Sequence, residues 1–150
     1  MENSHLCPPV SAGEIKKGDI IILKSRPCKI VEIHRSKTGK HGHAKCRFIG
    51  TCILSGRKYE DSVPAHTTLN RAEISKKKYQ VLGTSDDNID CLNENNVIVH
   101  VPANDDEKLI NLINTGHIDE IDVLYAPIME NNHITEEIRI TGWSDNSSSQ

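Results

Sequence analysis

The residues best able to do chemistry in this chain lie close together, in Ser36-Lys37-Thr38-Gly39-Lys40-His41-Gly42-His43-Ala44-Lys45-Cys46-Arg47. Lys40 is the centre of the run. A free lysine amine, with a pKa near about 10.4, is a hydrated point charge on a flexible stem. Held at the end of a narrow turn, it becomes a probe for phosphates or polarised carbonyls. Gly39 and Gly42 bracket Lys40 and His41, so the backbone there is free to adopt positive φ and reverse sharply. Cys28-Lys29-Ile30-Val31-Glu32-Ile33 precedes the run and Cys46-Arg47-Phe48-Ile49-Gly50 ends it, and both alternate as half-buried strands do. The pattern predicts a long hairpin with Lys40 at its tip. Arg35, Lys37, Lys40, Lys45 and Arg47 share that hairpin, and no acid falls between Glu32 and Glu60. A tip crowded with glycines and like charges adds little to folding, so its purpose is contact.

Other chemistries fit less well. A phosphate-binding loop would need glycine where His34 stands and Ser or Thr where His41 stands. His34, His41 and His43 lack zinc-ligand spacing, so no metal site is expected. Asp86-Asp87-Asn88-Ile89-Asp90 opens like a calcium loop, but Cys91 replaces the required glycine and Val97 the required glutamate. No nucleophile, base and acid come together as a set, so no catalytic residue is assigned and the chain is not read as an enzyme.

Ser36 through Lys45 resembles the modification loop of the eukaryotic translation initiation factor 5A family, with Lys40 at the lysine that the family converts to hypusine. Arg26-Pro27-Cys28-Lys29-Ile30-Val31-Glu32 resembles the family's strand into that loop, and Gly56-Arg57-Lys58-Tyr59-Glu60-Asp61 a stretch beyond it. The likeness is strong from Ser11 to Asp61 and fades afterwards. Three departures stand out. His34-Arg35 replaces small hydroxyl residues, His66-Thr67-Thr68-Leu69-Asn70-Arg71 replaces the family's run after Pro64, and the second half agrees only in outline.

The resemblance implies a mainly β protein, an N-terminal SH3-like barrel followed by an OB-fold barrel with one short helix. It implies a translation factor that binds the ribosome near peptidyl-tRNA and rRNA and promotes slow peptide bonds, such as those between prolines, and termination. Deoxyhypusine synthase would transfer an aminobutyl group from spermidine to Lys40, and deoxyhypusine hydroxylase would complete the group. Hypusine apart, no cofactor is implied. Lys37, Gly39, His41, Gly42, His43 and Lys45 carry over as loop residues that support modification and ribosome contact. The alternatives are a general RNA-binding module that needs no modification, or a structural paralogue that assembles into lattices.

Charge agrees with an anionic partner on one side of the chain. Residues 1–72 hold 13 Lys and Arg against 6 Asp and Glu, while residues 73–150 hold 5 against 15. A basic half beside an acidic half directs phosphate contacts to the first. Aromatics make up only 3% of the chain, so the core must rely on Ile, Leu, Val and Cys in small β-rich units. Cys7, Cys28, Cys46, Cys52 and Cys91 form no C-x-x-C pair and read as reduced, buried thiols. With no signal-like segment and no apolar run near the roughly 18 residues of a membrane span, a cytoplasmic monomer or weak dimer without membrane contact is expected.

The elements that must position the loop follow in order. Residues 1–10 are polar, include Pro8-Pro9 and read as a flexible arm. Residues 11–72 hold the first barrel, with Ile20-Ile21-Ile22-Leu23 as a buried strand. The charge switch near Asn70-Arg71-Ala72-Glu73 marks the boundary, and residues 73–143 form the second barrel. Its strands are expected at Tyr79–Leu82, Ile89–Leu92, Val97–Val101, Ile121–Tyr125 and Ile134–Ile140. A helix over Asn104–Asn114 is capped by Asn104 or Asp105 and ended by Gly116. Residues 144–150 read as a disordered tail.

Overall fold

The computed structural model describes residues 2–37 and 44–145. Its chain forms two compact units. One comprises residues up to Ile74 together with Ala126–Glu137; the other comprises Ser75–Tyr125 and the chain from Ile138 onward.

In the first unit, β2 (Ile20–Leu23), β3 (Arg26–Ser36), β4 (Lys45–Cys52) and β5 (Lys58–Pro64) form an antiparallel sheet in that order, and β1 (Pro9–Ser11) pairs with β6 (Thr68–Asn70). The apolar side chains of Val10, Ile15, Ile21, Leu23, Ile30 and Phe48 fill one core with Cys28, Cys46 and Cys52. Three of its members are thus cysteines, which act here as small hydrophobes.

The expectation of a loose arm over residues 1–10 is overturned. Val10 pairs with Leu69, Cys7 is buried, the Arg71 N–H donates to the Pro8 carbonyl, and the Glu73 N–H donates to that of Leu6. Pro9 lacks an N–H, but an edge strand tolerates it, and two small apolar anchors suffice to hold the segment.

The second barrel also departs from its expected limits. β7 (Ser75–Ser85), β8 (Asn88–Leu92), β9 (Ile98–Pro102), β10 (Ile118–Glu130) and β11 (His133–Asp145) form one sheet in the order β11-β10-β7-β8-β9. The end of the β10–β11 hairpin, however, belongs to the first unit. Asn131 and Asn132 take φ of 50° and 64°, the left-handed pair of a two-residue hairpin turn. Met129 N–H donates to the Ser25 carbonyl at 3.1 Å, and Ile128 and Ile134 are buried. An alternating sequence pattern tells which face is buried but not which body buries it.

The helix α1 is shorter than expected, Glu107–Asn114, and its cap is Asp106, whose side chain accepts the Leu109 N–H. Asn104 and Asp105 instead adopt positive φ in the loop before it. Gly116 ends the helix at φ 77°, with its own N–H on Ile113 and that of His117 on Leu112, the paired bonds of a Schellman stop. Leu109 and Ile113 pack with Ile89, Val101 and Ile121 in the second core.

Candidate functional site: the lysine hairpin

β3 and β4 are the arms of the predicted hairpin. They pair from Cys28 opposite Cys52 to Ser36 opposite Lys45. Their register shifts between Ile30 and Glu32, so Val31 is a bulge and stands half exposed at 49%. The extra residue resets the alternation. Beyond it, Ile33 and Arg35 share one face while Glu32 and His34 share the other.

That reset gives Arg35 its task. One guanidinium nitrogen donates to the Ala12 carbonyl at 3.3 Å and to the Cys46 sulfur at 3.1 Å; the other donates to the Ile15 carbonyl at 2.8 Å. Arg35 therefore fastens the outer part of β3 to the segment after β1. Its guanidinium is thus committed to the fold, although the residue remains exposed. The sequence counted it among the hairpin's positive charges; its place two residues beyond Ile33 was the signal that it faces inward.

The neighbouring basic side chains are also engaged. Arg47 meets Glu60 at 2.9 Å across β4 and β5. His34 lies 3.0 Å from Glu32, and this hydrogen bond, opposed by slight burial and aided by the charges of His34, Lys58 and Arg47, holds the Glu32 carboxyl below its usual range. Lys37 and Lys45, by contrast, are exposed, and neither has an ion pair among the described residues. They stand at the outer ends of the two arms. Arg47 and His34 are thus matched by acids and Arg35 is held by carbonyls and a sulfur, whereas Lys37 and Lys45 stand unengaged where the tip begins, as Lys29 does nearer the root, among the described residues.

Of the predicted loop residues, Lys37 and Lys45 are placed by the structure. Gly39, Lys40, His41, Gly42 and His43 lie outside the described residues. Among the described residues, no group of three or more His, Cys, Asp or Glu side chains could hold a metal ion, and no helix is long and apolar enough to cross a membrane.

Gly50, missed in the sequence, sets the arms' separation at their root. A Cβ there would stand 2.9 Å from the Cys28 Cβ, 3.1 Å from the Lys29 carbonyl oxygen and 3.3 Å from Leu23 Cδ1. Only glycine lets β4 lie this close to β3.

The family model for the translation initiation factor 5A-like N-terminal domain matches residues 4–67, the stretch that builds this hairpin and the sheet beneath it. Eukaryotic translation initiation factor 5A-2 of Medicago sativa is 38% identical over 122 residues, covering 79% of this chain and 76% of the relative. The chain belongs to the eukaryotic translation initiation factor 5A family. Factor 5A-1 of Solanum lycopersicum is 46% identical over 88 residues, 58% of this chain and 55% of its own length. Among solved structures, a factor 5A family protein of Naegleria fowleri is 29% identical, with a TM-score of 0.69 over 92% of this chain and 98% of that one. Factor 5A from Methanococcus jannaschii is 25% identical, with a TM-score of 0.59 over 92% of this chain and 95% of that one. The fold is therefore mainly β, the factor 5A arrangement of an SH3-like barrel followed by an OB-fold. The family consists of translation factors and not enzymes, and a role in translation follows for this chain.

Proposed function

We propose that this chain acts on the ribosome beside peptidyl-tRNA, with Lys40 converted to hypusine and directed at the acceptor end. Hypusine lengthens the side chain and adds a second amine, carrying positive charge into a narrow anionic site. There it orients the reacting ends at slow peptide bonds, such as those between prolines, and at termination. The contribution is positional and electrostatic, not covalent. Deoxyhypusine synthase and deoxyhypusine hydroxylase would be the modifying enzymes and spermidine the donor. Gly39 and Gly42, which carry no side chain, would let the segment enter an enzyme, and His41, His43, Lys37 and Lys45 would support recognition.

The observation that carries this reading is the distribution of charge on the hairpin. His34, Arg35 and Arg47 are each engaged within the fold, whereas Lys37 and Lys45, which flank the tip, have no ion pair among the described residues. A hairpin whose function was only structural would have no reason to leave those two cations together. The deciding experiment is mass spectrometry of the peptide spanning Lys40 from natively expressed protein. One added hypusine is expected there, with Lys40→Arg removing it and leaving the melting curve unchanged. A peptide found wholly unmodified would overturn the reading and favour an RNA-binding module that works without modification.

A further inference from the structure

Cys28 and Cys52 face each other across β3 and β4 at the root of the lysine hairpin. Their pairing is of the kind without mutual backbone bonds. The Ile53 N–H reaches the Pro27 carbonyl at 3.0 Å, just outside the pair, and the Cys52 N–H turns away to the Arg57 carbonyl at 2.8 Å. Such pairs bring Cα atoms to about 4.5 Å, inside the roughly 4.4–6.8 Å range that a disulfide spans. Both cysteines are free, and they are 0% and 1% exposed. None of the others has a cysteine opposite it. Cys46 faces Arg35 and Val63, Cys91 faces Val81 and Val99, and Cys7 lies outside the strands.

We propose that Cys28 and Cys52 form a dithiol site that a small-molecule disulfide oxidises reversibly to a cross-link at the root of the hairpin. The two thiols are unequal. Burial, with Cys52 adding to it, pushes Cys28 up to about 12. Burial pushes Cys52 up as well, but hydrogen bonds from the Ser55 side chain and backbone and from Leu54, with the charge of Arg26, bring it net below its ordinary value. Cys52 is thus the attacking thiolate and Cys28 the resolving thiol.

Access comes through the end of β4. Cys52 is its last residue, and the following turn is held by the Gly56 N–H on the Cys52 carbonyl at 2.8 Å. Opening that turn uncovers the sulfur without unfolding the sheet. The Cys52 thiolate then attacks the oxidant, breaking its S–S bond, forming a mixed disulfide and releasing one small thiol. Cys28 gives up its proton and attacks the Cys52 sulfur, breaking the mixed disulfide and releasing the second thiol. The oxidant gains two electrons and two protons, and the protein gains one S–S bond. The ring so closed contains the whole lysine hairpin.

The test uses the reduced full chain incubated with oxidised glutathione, quenched in acid and alkylated after unfolding. Alkylatable thiols should fall from five to three, with a peptide pair joined through Cys28 and Cys52. The melting midpoint should rise by about 5 °C or more, because the ring constrains the unfolded chain, and dithiothreitol should reverse the rise. Cys52→Ser should lose the cross-link and Cys91→Ser should keep it. Should Cys52→Ser fail to fold, the wild-type peptide map still decides. Five alkylated cysteines, a bond to another partner, or a glutathione adduct that never resolves would each overturn the proposal.

Discussion

Arg35 turns its charge inward, onto two carbonyls and a sulfur, and so costs the tip a cation while giving the hairpin a fixed direction. Hydrogen bonds from a charged donor are stronger than neutral ones, but this side chain is partly open to water. Arg35→Met should therefore cost about 1–2 kcal/mol, read from the urea midpoint. Arg35→Lys should recover only part of that, since an ammonium cannot span carbonyls that a planar fork reaches. Equal stability of wild type and Arg35→Met would mean that the three contacts hold nothing. A second residue-scale test concerns Asp90, whose carboxyl lies 2.6 Å from the His100 ring and accepts the Ser85 hydroxyl at 3.0 Å. The His100 bond, then the Ser85 bond, hold it below its ordinary value of 3.8 despite slight burial. A lowered carboxyl stabilises the fold above its unfolded pKa, and the contribution disappears as pH falls through the native value. An NMR titration should place Asp90 below 3.8, and His100→Ala should move it upward. The melting difference between that variant and wild type should shrink in acid.

At the scale of elements, the alternation around the hairpin was legible in the sequence because strands bury every second residue, and the helix because its apolar stripe and terminal glycine are local signals. The bulge at Val31 was not legible: Ile30-Val31-Glu32-Ile33 reads as one strand until the register with β4 is known. Nor was the helix cap, since Asn104, Asp105 and Asp106 are all good caps by composition and only backbone geometry separates them. Asp106→Ala should cost about 1 kcal/mol, while Asp105→Ala should leave the helix cap intact. Gly50→Ala is the sharper element-scale test. Its added methyl would meet the Cys28 Cβ at 2.9 Å inside the sheet, where neither strand can yield without breaking the pairing. Overpacking of this kind costs about 1–3 kcal/mol. Cys28→Ala would leave that Cβ in place, so it should not rescue Gly50→Ala; a rescue would locate the conflict at the sulfur instead.

For the whole molecule, the contrast between a basic first half and an acidic second was visible in composition, but what the charges do was not. Asp19, Asp61 and Glu60 pair with Arg71, Lys24 and Arg47, so part of the positive excess is already balanced within the first unit. The return of Ala126–Glu137 to that unit was equally hidden, because it depends on contacts far apart in the chain. It also decides how the charge split must be tested. Cutting the chain near residue 72 would remove Met129 from Ser25 and Ile134 from Asn3, and so damage the very unit under test. The full chain with substituted lysines is the sound choice. Lys37 and Lys45 flank the tip, are exposed and have no ion pair among the described residues, so Lys37→Gln with Lys45→Gln should weaken binding to unstructured single-stranded RNA. If each lysine meets one phosphate, the slope of log K against log salt should fall by about 1.4, since a single strand contributes roughly 0.7 per contact. Lys76→Gln with Lys77→Gln removes the same charge from the acidic unit and serves as the control. The hairpin pair should change the slope and the control pair should not, while both variants keep wild-type melting curves. Equal changes would show that RNA responds to net charge alone, and the hairpin would lose its standing as the contact surface.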